Sequence, residues 1–226
     1  MIKNKGNFMI KFEEQDKEFV ENSDWEKLNE GYNKAKKFFE FEKDIFPIKI
    51  CFIYAPEEWV FFSRYKKHEN WNIAFAGNNN IIYIFAPSVL EKYTIHKKDQ
   101  FFPTLIHEIT HFFYRDSIYE RDFSIFPLWN EGIAEYITDR ENKPKICEPI
   151  TNLNNCSENS SMNYKAGFLL IDSIMDEFKE TGNKKIIQFL KETSSDWTQE
   201  KLSCKFEEIF GIDVNKLIEL KGGIKK

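Results

Sequence analysis

The strongest apolar periodicity in the chain lies between residues 99 and 116. Phe102, Leu105, Ile106, Ile109, Phe112 and Phe113 recur with a period near 3.6 residues, which predicts an α-helix. Pro103 is tolerated only in a first turn, so this helix should begin near residues 100–102 and end near 115–116. Asp99 or a neighbour is placed to cap it. Its apolar residues occupy more than one side, which predicts a central, buried element.

Upstream the period shortens. Residues 8–12 read as a short strand. Residues 47–54 alternate Ile48, Ile50, Phe52 and Tyr54 against Lys49, Cys51 and Ile53, the pattern of a strand. Residues 71–76 and 81–86 read as two more strands, and Gly77-Asn78-Asn79-Asn80 between them signals a hairpin turn. A helix is expected over 23–41, with Ser23 and Glu26 as a capping box.

Downstream the pattern is helical: 127–139, opening on a proline suited to a first turn; 161–180, with Gly182 as its C-cap; then 184–192, 198–210 and 214–220. The polar stretch 142–163 reads as a loop that borders the functional region. Strands before the central helix and helices after it predict an α+β fold. The expectation is one domain over 1–226, with a small mixed or antiparallel sheet lobe over about 1–116 and a mostly helical lobe over about 117–226.

Composition narrows the function classes. A hydrophobic content of 42%, with 23 Phe, is ample for a packed core. The net charge of −5 and the absence of a basic stripe argue against a nucleic-acid partner. Residues 1–15 hold no leader-like apolar run, and no segment reaches the ~18 apolar residues of a membrane helix. The expectation is a cytoplasmic chain without a membrane partner; its oligomeric state is left open. Cys51, Cys147, Cys156 and Cys204 form no CxxC pair, so a cysteine-based zinc site is not expected. Cys51 reads as a buried thiol. Cys147 and Cys156 would pair only in an exported protein. His68 and His96 lie in polar stretches and read as surface residues.

The remaining two histidines fall on the central helix as His107-Glu108-Ile109-Thr110-His111. Residues four apart share one helical face, so the two imidazoles can converge on one ion at roughly 2.0–2.1 Å each. Glu108, about 100° around the helix from His107, is badly aimed for a ligand and well aimed at a metal-held water. Catalytic zinc takes three protein ligands and leaves a fourth position open. A third ligand is therefore expected downstream, and Glu131 in Trp129-Asn130-Glu131-Gly132-Ile133-Ala134-Glu135-Tyr136 is the best candidate.

These two segments resemble the gluzincin zinc metallopeptidases, and the string through Glu135-Tyr136 resembles their small bacterial peptidase MA-like members. The resemblance spans about residues 25–220 and is specific at the two segments alone. It implies a zincin-like fold and one Zn2+ per chain, held by His107, His111 and Glu131, with Glu108 as general base. It implies that Glu135 and Asn130 steady the ligands from behind, and that Tyr164 stabilises the oxyanion. It also implies an edge strand along the cleft that receives an extended peptide or protein substrate, here Ile81, Ile82, Tyr83, Ile84 and Phe85. The chain lacks the Gly-x-Met-x-Asn segment of the aminopeptidase branch, which counts against exopeptidase activity.

The expected function is hydrolysis of peptide bonds by a metal-activated water. Two alternatives keep the fold: a catalytically inactive interaction module, and a zinc hydrolase acting on a non-peptide amide.

Overall fold

A computed structural model describes residues 1–45, 47–64, 67–118, 126–138, 150, 152–154, 160–194 and 196–220. The chain divides into two compact units, residues 1–113 and 114–226.

Unit 1 opens with strands β1 (Ile2–Lys5) and β2 (Phe8–Lys11) and helices α1 (Lys17–Asn22) and α2 (Glu26–Phe38). There follow β3 (Ile48–Ile53), α3 (Pro56–Ser63), β4 (Ala74–Ala76), β5 (Ile81–Phe85), α4 (Leu90–Tyr93) and the long α5 (Phe101–Ile118), whose last residues belong to unit 2. Among the described residues the strands make one mixed sheet in the order β1-β2-β3-β5-β4. β3 runs parallel to both β2 and β5, and the outer pairs β1–β2 and β4–β5 are antiparallel.

This order corrects the expectation that Ile81, Ile82, Tyr83, Ile84 and Phe85 form an edge strand. β5 is paired on both sides, and the edges are β1 and β4. The reason is in its composition: five consecutive apolar residues suit a strand covered on both faces, whereas an edge needs polar relief. The hairpin itself forms as expected, with Asn79 (φ 57°) and Asn80 (φ 56°) both left-handed in its turn.

Across the three inner strands β2, β3 and β5, one sheet face is apolar. Ile10, Ile50 and Ile82 sit in register across it, and none is exposed. Helices α2 and α5 pack there, through Tyr32 against Phe8 (ring centroids 6.2 Å) and Phe113 (5.0 Å), and Phe101 against Phe52 (5.6 Å). On the other face, Cys51 is half-buried rather than buried. Burial raises its thiol pKa, and Lys11 and Lys49 oppose that shift. His68 is not a surface residue either. Its ring packs against Trp59 and Phe85, and Nε2 lies 2.8 Å from the carbonyl oxygen of Asn72.

The capping box at Ser23 does not form. Trp25 takes the cap position of α2, and Asp24 Oδ1 accepts from the Glu26 amide at 3.2 Å. The helix stops at Phe38 because Glu40 turns left-handed (φ 51°) and the Phe41 amide folds back to the Lys36 carbonyl.

The described elements of unit 2 are helical: α6 (Pro127–Ile137), α7 (Ser160–Phe178), α8 (Gly182–Glu192), α9 (Gln199–Phe210) and α10 (Val214–Leu220). Its core centres on Trp129, stacked on Phe189 at 4.7 Å with Phe206 beyond. Gly182 is no C-cap. It opens α8 with ordinary helical φ (−58°), and a Cβ there would lie 2.9 Å from Met175 Sδ, so close packing explains the glycine. The expected loop is shortened from its far end, since α7 begins at Ser160; Cys147 and Cys156 lie outside the described residues. No described helix is long and apolar enough to cross a membrane.

Candidate metal centre

Helix α5 spans the predicted segment and extends two residues further. Its residues 105–110 are all buried. Burial of so long a polar-bearing stretch needs internal satisfaction, and Thr110 supplies its own by donating Oγ1–H to the Ile106 carbonyl at 2.8 Å. His107 is 7% exposed and Glu108 8%, unusual for a glutamate and worth explaining by function. His111, one turn on, is half-buried. The two imidazoles stand nearly perpendicular (87°), with centroids 4.7 Å apart. The helix pitch puts them there, as the spacing requires.

The approach of α5 to α2 is set by Gly31. A Cβ on that residue would lie 2.4–2.8 Å from three side-chain carbons of Ile106. Glycine at mid-helix costs about 1 kcal/mol relative to alanine, so its presence on α2 reflects this approach.

Helix α6 begins with Pro127 at its first turn, as expected. Trp129 Nε1 donates to the Leu153 carbonyl at 2.8 Å, and the Leu128 amide to the Asn154 carbonyl at 3.3 Å. The segment that accepts these bonds is itself held. The Leu153 amide donates to Gln199 Oε1 at 2.7 Å, and Asn215 exchanges two hydrogen bonds with the backbone of Ile150. The start of α6 is thus tied to α9 and α10 by backbone and amide groups.

Glu131 is half-buried on α6. Its carboxylate and the imidazole nitrogens of His107 and His111 offer three ligand atoms, all within 4.8 Å of one another. Two donors about 2.1 Å from one ion stand at most about 4.2 Å apart, so the group lies close to the spacing that a shared ion requires. Two imidazoles and a carboxylate suit zinc and other borderline divalent ions. The donor set fits a metal.

No family model matches the chain, and no curated protein matches it.

The other predicted residues fall as follows. Glu108 adjoins His107 on α5. Glu135 is one turn beyond Glu131 on α6 and only 4% exposed; it is not part of the three-ligand group. Asn130 is half-buried beside Glu131. Tyr164 is half-buried within the first turns of α7. β5 lies inside the sheet, so its residues present no free strand edge.

Sequence reasoning passed over Gly132 and Gly167. A Cβ on Gly132 would lie 2.4 Å from the Gly167 carbonyl carbon, and one on Gly167 would lie 2.2 Å from the Leu128 carbonyl oxygen. Nothing in the linear spacing of these two glycines announces that they meet.

Proposed function

We propose that the chain is a zinc-dependent metallopeptidase. The observation that carries this reading is the convergence of His107, His111 and Glu131 within 4.8 Å, with the buried carboxylate of Glu108 next to the first ligand. A buried carboxylate outside the ligand set has a ready role in amide hydrolysis.

His107 and His111 would each give one imidazole nitrogen to the metal, and Glu131 one carboxylate oxygen. When bound, zinc supplies Lewis acidity and lowers the pKa of a water toward about 7. Glu108 would accept a proton from water at Oε as the water oxygen bonds to the amide carbon. It would return that proton to the amine nitrogen as the C–N bond breaks. Atoms and charge then balance with Glu108 restored. Glu135, buried one turn from Glu131, would hold a ligand side chain in orientation. Tyr164 would donate its phenolic hydrogen to the developing oxyanion. Peptide or protein is the substrate class.

Two substitutions test the reading. Glu108→Gln should keep zinc, measured by elemental analysis, and lose nearly all turnover of a peptide library. Normal turnover would remove Glu108 from the role. Glu131→Ala should lose zinc, and full zinc retention would mean that another group supplies the third ligand. A wild-type chain that binds zinc yet cleaves no peptide, with or without chelator, would overturn the peptidase assignment while leaving the metal centre.

A further inference from the structure

We infer that Gly132 and Gly167 form a positioning pair that fixes Glu131 for metal binding, an inference that rests on the metal-centre reading above. Gly132 directly follows Glu131 on α6. It meets Gly167 of α7 backbone to backbone: a Cβ on Gly132 would lie 2.4, 2.5 and 2.6 Å from the C, O and Cα of Gly167. The reverse clash is as severe, with Leu128 O at 2.2 Å and the Gly132 Cα and N at 2.8 and 2.9 Å. Real Cβ contacts do not occur at such distances, and no rotamer relieves them, because every atom named belongs to the main chain.

Three features turn this contact into a positioning device. First, both residues are mid-helix, where glycine costs about 1 kcal/mol against alanine; two such costs at one crossing call for a reason. Second, the crossing lies beside the ligand, so a displacement of α6 at Gly132 carries Glu131 with it. Third, the start of the same helix is independently tied down through Leu128 and Trp129. α6 is therefore fixed at two heights, one on each side of Glu131. A ligand carboxylate held this way loses little conformational freedom when it takes up an ion, and preorganisation of that kind appears as affinity.

The test measures zinc dissociation constants of the full chain by competition with a chromophoric chelator. Gly167→Ala should weaken zinc binding by about tenfold or more, the scale on which residues behind the ligands act. Gly211→Ala serves as the control. Gly211 has φ 72° with nothing within 4 Å of a built Cβ, so alanine there strains the backbone of unit 2 without touching the crossing. Its zinc affinity should equal that of the wild type. Equal affinity in Gly167→Ala, or an equal loss in Gly211→Ala, would overturn the inference and leave the metal centre standing. A wild type that binds no zinc would overturn both.

Should Gly167→Ala fail to fold, the wild type decides by amide hydrogen exchange. Zinc should slow exchange in segments 128–136 and 163–171 together, because the touching backbones restrain each other. Protection confined to 128–136 would overturn the inference.

Discussion

The two helices that carry the candidate ligands are both seated by glycine, but in opposite ways. For α5 the glycine stands on the neighbouring helix, and what it clears is the side chain of Ile106. For α6 the glycine belongs to the helix itself, and what it clears is the peptide backbone of α7. A side chain can turn or be trimmed, and a peptide group cannot. The seat of the histidines is therefore adjustable by substitution, and the seat of the carboxylate is not.

The comparison breaks most sharply at the rigid seat. Gly167→Ala should destabilise unit 2 by about 3 kcal/mol, at the upper end of overpacking costs, as read by urea unfolding. No single side-chain trim on α6 should recover that loss, and recovery by any would mean that the contact is softer than described. Gly31→Ala should cost less, about 2 kcal/mol, because Ile106 can give way in part. Its added cost should fall to near zero in an Ile106→Ala background, since that change removes all three clashing carbons. Additive costs in the double variant would show that the two residues do not meet. Gly211→Ala should have the smallest effect, about 1 kcal/mol, from its left-handed backbone alone. A larger loss there would mean that glycine's conformational freedom, rather than its small size, dominates in this chain.

Local signals were the legible part of this molecule. The apolar period from Phe102 to Phe113 located α5, Pro127 marked the start of α6, and Asn79-Asn80 marked the turn of the hairpin. Each of these depends on neighbours within one helical turn or one β-turn. The alternation in β3 was read correctly for the same reason. Position in the sheet was not legible, because strand order depends on which distant segments pair. The continuous apolar run of β5 did carry a hint of an interior strand, and it was outweighed by the expectation of a substrate-binding edge. β1 escaped notice because Ile2-Lys3-Asn4-Lys5 holds one apolar residue, which is what an exposed edge tolerates. α1 and α3 are too short for periodicity to declare them. At the candidate metal centre, residue types and spacing pointed to three side chains whose donor atoms lie within 4.8 Å of one another. The glycine contacts that seat their helices exist only between segments far apart in sequence.

The order of strands also governs how unit 1 assembles. β1–β2 and β4–β5 are hairpins with short turns, at Gly6 and at Asn79-Asn80. Hairpins of this kind close in about 1–10 μs. β3 joins them through two parallel pairings, each of which must span a long crossover before any contact compensates for the lost chain entropy. The arrival of β3 is then the slow event in forming the sheet. A chain caught before that event presents two hairpins with unpaired inner edges, which are templates for pairing with another molecule. The yield of refolded protein should accordingly fall as its concentration rises, even though the finished sheet buries both of those edges.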